Sequence, residues 1–236
     1  MNTREEFIDI PLDKRHIHLY VVRNSIYNAL KNDLHQMKGE LLDVGCGYSP
    51  YKDLFTSQNS QVKKYIGLDL EDHRSYDNKP DLTWDGNKIP IIDSTMGTVI
   101  ATEVLEHSPQ PVDLLKEIHR VLEKNGKVFI TVPFFWMLHE VPHDECRYTP
   151  FALERMIKEA GFSNITVKAL GGWNASLVQM FANWVYYSDE KYSFREWALR
   201  LLWPFIKKLL RRDKIPTEFK TGQMITGLYC VAEKTA

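Results

Sequence analysis

This 236-residue chain predicts an α/β fold built on a doubly wound, mostly parallel sheet. Three observations predict it. Short apolar runs of strand length alternate with longer runs of helical period, a glycine turn follows the first strand, and acidic residues stand where successive strands end. In such sheets ligands bind at the carboxyl ends of the strands.

The first element is a helix, marked by Ile17, Tyr20, Val21, Asn24, Tyr27, Leu30, Leu34 and Met37 and closed by Gly39. Leu41-Leu42-Asp43-Val44 is the first strand, Gly45-Cys46-Gly47 the turn after it, and a helix is expected over 50–57. Lys64 to Asp69 reads as a second strand ending on an acid. Asp81 to Trp84 is a third, followed by Asp85, and Gly97 to Thr102 a fourth. An amphipathic helix is predicted over Pro111–Lys124 with Asn125-Gly126 as its stop, then a fifth strand over Lys127–Val132. A helix over Pro150–Ala160 ends at Gly161, and a sixth strand runs from Ile165 to Leu170.

Composition bounds the class. With 44% hydrophobic residues the chain can bury a full core, and a net charge of -1 gives no global reason to expect nucleic acid as partner. Cys46, Cys146 and Cys230 are odd in number and far apart, which fits a reducing, cytoplasmic compartment better than a disulfide scaffold. Met1 to Asp9, with Arg4, Glu5, Glu6 and Asp9, does not resemble a signal peptide. The longest apolar run, Val128 to Leu138, falls short of the roughly 20 residues that span a bilayer.

The strand ends carry the chemistry. A glycine turn lets a nucleotide-like ligand approach the backbone, and an acid about 20 residues later, at the end of the second strand, reaches a ribose diol. Asp69 holds that place. The dinucleotide pattern G-x-G-x-x-G would need glycine at position 50, which is Pro50, so a nicotinamide cofactor and the oxidoreductase reading are disfavoured. A cofactor without a pyrophosphate needs fewer bare amides at the helix start, and a cationic centre would suit the carboxylates of Asp43 or Glu103. S-adenosylmethionine has these properties.

Five ordered motifs make the likeness specific: Leu41-Leu-Asp-Val-Gly-Cys-Gly47, Tyr65-Ile-Gly-Leu-Asp-Leu70, Trp84-Asp-Gly-Asn-Lys-Ile-Pro90, Glu103-Val-Leu-Glu-His107 and Arg120-Val-Leu-Glu-Lys-Asn-Gly-Lys127. Over residues 17–170 the chain resembles the class I S-adenosylmethionine-dependent methyltransferases, of the type 11 methyltransferase-domain kind. The resemblance implies a Rossmann-like, seven-stranded sheet in a single domain over 1–236: an N-terminal helix at 16–38, a cofactor-binding core at 40–170, a helical insertion at 171–222 and an antiparallel last strand at 223–233. It implies that Asp43, Gly45 and Gly47 line the methionine portion and that Asp69 takes the ribose. Asp85 would meet the adenine amino group, and Glu103 with Leu105 would sit beside the cofactor. Leu70 and Gly86 complete the expected set, and Arg23 resembles the basic residue that meets the methionine carboxylate in many relatives.

Residues 133–150 are too long for a tight connection and should form a substrate loop over the sheet edge. His139 or His143, together with His107, could serve as base or acceptor contact near neutral pH. His139, His143, Asp144 and Cys146 are all ligand types, yet without a CxxC or HExxH pattern no metal is expected. His143-Asp-Glu-Cys-Arg-Tyr-Thr-Pro150 resembles bacterial members that modify sugars and surface polysaccharides, which makes a sugar, a polysaccharide precursor or a lipid-linked glycan the expected acceptor. A quinone or lipid acceptor is the alternative.

The insertion should hold one apolar helix at 173–187 and a second at 193–212. The second carries Phe194, Trp197, Leu201, Leu202, Phe205, Leu209 and Leu210 at helical spacing, with Pro204 as a kink. Eight cations against two acids over 191–214 give a local charge of +6. A core-packed helix with a solvated basic face and a peripheral helix at the inner membrane surface both fit this pattern. A non-catalytic membrane adaptor would use the second option alone.

Overall fold

The computed structural model describes residues 6–71 and 79–235. Arg4 and Glu5, from the stretch read for a signal peptide, lie outside these. Seven strands form one sheet in the order β3-β2-β1-β4-β5-β7-β6. Here β1 is Lys38–Val44, β2 Gln61–Leu70, β3 Leu82–Trp84, β4 Met96–Thr102, β5 Leu122–Pro133, β6 Ser163–Leu170 and β7 Gly227–Glu233. Strand β7 runs antiparallel between β5 and β6, and the pairs among β1 to β5 are parallel. Order reverses where β1 meets β4, so the crevice above their carboxyl ends is the expected ligand position.

The helices are α1 (Ile17–Asp33), α2 (Lys52–Phe55), α3 (Pro111–Val121), α4 (Pro150–Glu159), α5 (Trp173–Tyr187) and α6 (Tyr192–Arg211). One layer, with Leu114, Leu115 and Ile118 of α3 and Leu153 and Ile157 of α4, packs on one sheet face. The other face meets α1 and α2 through Ile26, Leu30, Tyr51 and Phe55. The alternation of apolar residues that marks half-buried strands is weak in β1 and β4 because both of their faces are covered.

Several boundaries differ from expectation. Gly39 does not close the first helix. It lies inside β1 at φ +71°, where a Cβ would stand 3.3 Å from the Gly97 Cα of β4, so it lets β1 and β4 approach closely next to a register shift in the β1–β2 pairing. The helix over 50–57 shrinks to four residues. Helix α3 stops at Val121 rather than Lys124, and Asn125-Gly126 sits within β5. The Lys234 ammonium donates to the carbonyls of Arg120 and Leu122, satisfying the helix end that the glycine was expected to serve.

The insertion does not stand apart. Val178, Ala182 and Val185 of α5 and Leu199 and Ile206 of α6 bury against Ile17 and Val21 of α1. The side of α6 that goes inward is Arg195, Ala198, Leu199 and Ile206. Phe194, Trp197, Leu201 and Phe205, read at helical spacing, are more than half exposed. Among the described residues no helix is long and apolar enough to cross a membrane.

Candidate active site

At the switch point, β1 runs into the turn 45–47 with Gly45 at φ +67° and Gly47 at φ +50°. The amides of Gly45 and Cys46 both donate to the Leu68 carbonyl, which ties the turn to β2. A Cβ at Gly45 would lie 2.6 Å from Val104, so side-chain-free backbone is required where β1 and the end of β4 face each other.

Asp69 closes this turn. Its carboxylate accepts the Gly47 amide at 2.8 Å and its neighbour Leu70's amide at 2.8 Å. Four lone-pair directions on two oxygens leave acceptor capacity toward the cleft. Asp43 lies just below, 1% exposed, with one oxygen accepting the Tyr65 hydroxyl and the other without a hydrogen-bond partner. Burial pushes its pKa up to about 7, against the Tyr65 hydrogen bond and with help from the charge of Asp69.

Glu103 ends β4 at φ +56°, an unusual conformation for a side-chain-bearing residue, and its amide donates to the Thr131 carbonyl. Burial raises its pKa, while the Thr131 hydroxyl and the charges of Arg23, His107 and Arg147 oppose the rise. The next residues, Leu105–His107, make one 3-10 turn.

These pieces border a cleft of about 260 Å³ whose lining includes Gly45, Gly47, Asp69, Leu70, Trp84, Gly86, Glu103, Val104, His107 and Glu140. A larger hollow of about 600 Å³ is lined by Trp173, Arg212 to Lys214 and Met224 rather than by strand ends.

Of the residues singled out from the sequence, the structure brings Gly45, Gly47, Asp69, Leu70, Gly86, Glu103 and His107 to this cleft. Asp43 lies under it. Arg23 on α1 stacks on Phe7 at 4.0 Å, and its charge opposes the burial-driven rise in the pKa of both Tyr51 and Glu103. Asp85, between the lining residues Trp84 and Gly86, uses its carboxylate to accept the amides of Asn87 and Lys88 and the Asn87 side chain in a solvent-exposed turn. Leu105 is fully buried in the core, and its carbonyl accepts the Tyr148 hydroxyl. The 3-10 turn sends Leu105 inward and leaves Val104 at the cleft. The His143 ring is exposed, and this residue meets the site through its carbonyl, 2.9 Å from His107 Nδ1.

Trp84, Val104 and Glu140 line the cleft without having been singled out. Trp84 had a signal, since it ends β3 directly before Asp85. Glu140 at φ +52° had none, because only the fold of the long loop carries it over the sheet edge.

The residues fit S-adenosylmethionine. An orphaned buried carboxylate oxygen beside the glycine turn suits a cation, Asp69 has acceptor capacity for a diol, and Leu70, 46% exposed, presents an apolar wall near Trp84.

Known proteins agree with this geometry. A family model described as a methyltransferase domain matches residues 15–167. A tRNA U34 carboxymethyltransferase of Campylobacter curvus is 26% identical over 161 residues, covering 62% of this chain, and the chain spans about half the length of that relative. Two solved structures share the fold. An S-adenosylmethionine-dependent methyltransferase from Archaeoglobus fulgidus has a TM-score of 0.53 and 16% identity, covering 98% of this chain and 97% of that one. Phosphoethanolamine N-methyltransferase 2 of Haemonchus contortus, in complex with S-adenosyl-L-methionine, has a TM-score of 0.54 and 13% identity, covering 100% of this chain and 60% of that one. With the family model matching well over half of the chain onto this sheet and this cleft, the protein belongs to the methyltransferase-domain family and is an S-adenosylmethionine-dependent methyltransferase.

Proposed function

We propose that this enzyme methylates a hydroxyl of an uncharged, hydroxyl-rich acceptor, of the kind found in sugars and surface-polysaccharide precursors. The observation that carries the proposal is the polar, acidic lining of the cleft. Asp69, Glu103, His107, Ser108 and Glu140 border it, and among the described residues neither lysine nor arginine lines it. Carboxylates and imidazoles accept hydrogen bonds from hydroxyls, whereas a phosphate-rich acceptor would meet repulsion from these carboxylates. The tRNA substrate named for the Campylobacter relative is therefore not carried over to this chain.

The cofactor, when bound, supplies an electrophilic methyl on a sulfonium. The chain's own part is alignment. The turn 45–47 and Asp69 fix the donor end, Asp43 and Glu103 supply negative charge for its cation, and residues 139–144 cover the acceptor side. Alignment of this kind is worth about 7–11 kcal/mol. A general base adds about 10²–10⁴-fold, a role open to His107 or His139.

A quinone or lipid acceptor is the second reading. A hollow of about 580 Å³ lined by Phe134, Phe151, Phe219 and Ile225 favours it. The outward face of α6, with Phe194, Trp197, Leu201 and Phe205 exposed beside Arg200, Lys207 and Lys208, suits peripheral contact with an anionic inner-membrane surface in a cytoplasmic enzyme. The deciding experiment supplies radiolabelled S-adenosylmethionine with four acceptor pools: sugar nucleotides, lipid-linked glycans, quinones with phospholipids, and tRNA. Label in either sugar pool supports the first reading. Label in the quinone and lipid pool moves the assignment to the second, and label in tRNA overturns both.

A further inference from the structure

One side chain has no place in the cofactor site and no hydrogen-bond partner for its carboxylate. Glu106 is 0% exposed, and neither of its carboxylate oxygens has a hydrogen-bond partner. A buried, unpaired carboxylate is costly and has to be neutralised by a proton or a cation. Its surroundings are those of a ligand. His107 Nε2 lies 3.8 Å from Glu106 Oε1, the rings of His107 and His139 meet edge to face at 4.7 Å, and one donor atom from each of the three residues falls within 4.8 Å of the others.

The histidines are also oriented as metal ligands are. His107 Nδ1 faces the His143 carbonyl at 2.9 Å. His139 Nδ1 faces the Met137 carbonyl at 3.3 Å and the Asp144 carboxylate at 3.3 Å, and Asp144 is itself held by two bonds from Arg147. With each Nδ1–H given to an oxygen, each Nε2 keeps a free lone pair, the arrangement by which carbonyls and carboxylates fix ligating imidazoles. Two bond vectors of about 2.1 Å place ligand atoms roughly 3–4 Å apart around one ion. Side-chain torsions can close the remaining distance.

We propose that Glu106, His107 and His139 form a binding site for one divalent first-row transition-metal ion, at the acceptor end of the cleft. Two imidazoles and one carboxylate match zinc, manganese or iron(II) and not calcium, which prefers all-oxygen shells. Three protein ligands leave a coordination position open. His107 lines the cleft, so that position would lie where an acceptor enters. This rests on the methyltransferase reading only for the purpose of the ion. The sequence had weighed a metal at His139, His143, Asp144 and Cys146 and set it aside. The cluster in the structure draws one residue from that loop and two from the turn after β4.

The test uses the full chain stripped with chelator and titrated with Zn²⁺ or Mn²⁺ by calorimetry, with Ca²⁺ as comparator, and with S-adenosylmethionine titrated separately. One ion of Zn²⁺ or Mn²⁺ per chain is expected, with affinity reduced at least tenfold in Glu106→Gln and in His139→Gln, and with Ca²⁺ not bound at the same concentrations. His139 is 26% exposed at its side chain, so His139→Gln keeps the test valid if Glu106→Gln does not fold. S-adenosylmethionine binding should be unchanged in His139→Gln. Absence of stoichiometric Zn²⁺ and Mn²⁺ binding, or binding indifferent to His139→Gln, overturns the site. Failure to bind S-adenosylmethionine would instead overturn the cofactor reading and leave the metal result standing by itself.

Discussion

Replacing Asp69 with alanine should damage the fold and the cofactor site by separable amounts. In the protein, the carboxylate accepts two backbone amides, from Gly47 and Leu70, each at 2.8 Å. An amide left unsatisfied costs about 1–3 kcal/mol, and both are only part-buried, so water recovers some of the loss and about 2 kcal/mol in all is expected. For a chain of this size that corresponds to a Tm lower by about 4–8 °C. The lost ribose contacts add a second effect. Two charge-assisted bonds at about 1.5–3 kcal/mol each, discounted for partial replacement by water, weaken S-adenosylmethionine by roughly 30- to 1000-fold. Asp69→Asn separates the two effects, since its amide oxygen still accepts one backbone N–H but gives the diol a neutral partner. It should lose less stability than the alanine variant while losing much of the affinity. Differential scanning calorimetry and isothermal titration together make the measurement. An alanine variant with wild-type affinity refutes the ribose assignment, and one with wild-type Tm refutes the role in closing the glycine turn.

Three further outcomes follow from the same geometry. Gly45→Ala forces a left-handed conformation at φ +67° and a contact at 2.6 Å with Val104, so cofactor affinity should fall at least tenfold; Gly222→Ala, at φ +83° with open space around it, should cost about 1–2 kcal/mol of backbone strain and leave affinity intact. Asp43, with its pKa raised by burial to about 7 from 3.8, holds its proton more tightly folded than unfolded. Its contribution to stability is therefore complete below about pH 4 and is lost as pH rises toward 7, and Asp43→Asn should remove that slope from thermal melts of the cofactor-free protein. Calorimetry near pH 6 in buffers of different ionisation enthalpy should also show proton release when the cationic cofactor binds the wild type. Arg120 donates to the carbonyls of Ile89 and Ile91 and to Glu117 and Asp93, fastening the β3–β4 connection to α3. Arg120→Met should lower Tm by roughly 4–10 °C with little change in cofactor affinity, and a shift below 1 °C would show that the connection holds without it.

The sheet and the donor end of the cleft were legible because they depend on local order. Strand, glycine turn and strand-end acid recur at fixed spacing, so Gly45, Gly47, Asp69 and Glu103 could be placed without tertiary knowledge. Helix ends were read less well. Gly39 and Asn125-Gly126 look like helix stops, yet both serve strands, one by letting β1 approach Gly97 and the other by taking a bulge in β5. No local pattern separates those uses of glycine from a helix cap. Leu105 and Asp85, expected beside the cofactor, are not among the lining residues of the cleft for a similar reason. A position matched by motif says which strand end a residue follows, and a single 3-10 turn or Asx turn then decides whether its side chain faces ligand, core or solvent.

The acceptor end was illegible because its residues meet only across long separations. His107 and His139 are thirty-two positions apart, Glu140 reaches the cleft from the same loop, and Asp144 steadies His139 only because Arg147 holds it. Their sequence neighbourhood advertises a substrate loop and nothing finer. The donor end is built from backbone amides, glycines and strand-end carboxylates, parts that the fold supplies wherever this sheet is made. The acceptor end is built from side chains on a loop and on a turn whose burial is set by Tyr148 bonding to Leu105. Such a division lets the methyl donor stay fixed while the acceptor changes by loop substitution. It also means that exchanging residues 133–149 for those of a relative should change which acceptor is methylated while leaving S-adenosylmethionine affinity within a few fold, whereas exchanging the turn at 45–47 should abolish transfer to every acceptor alike.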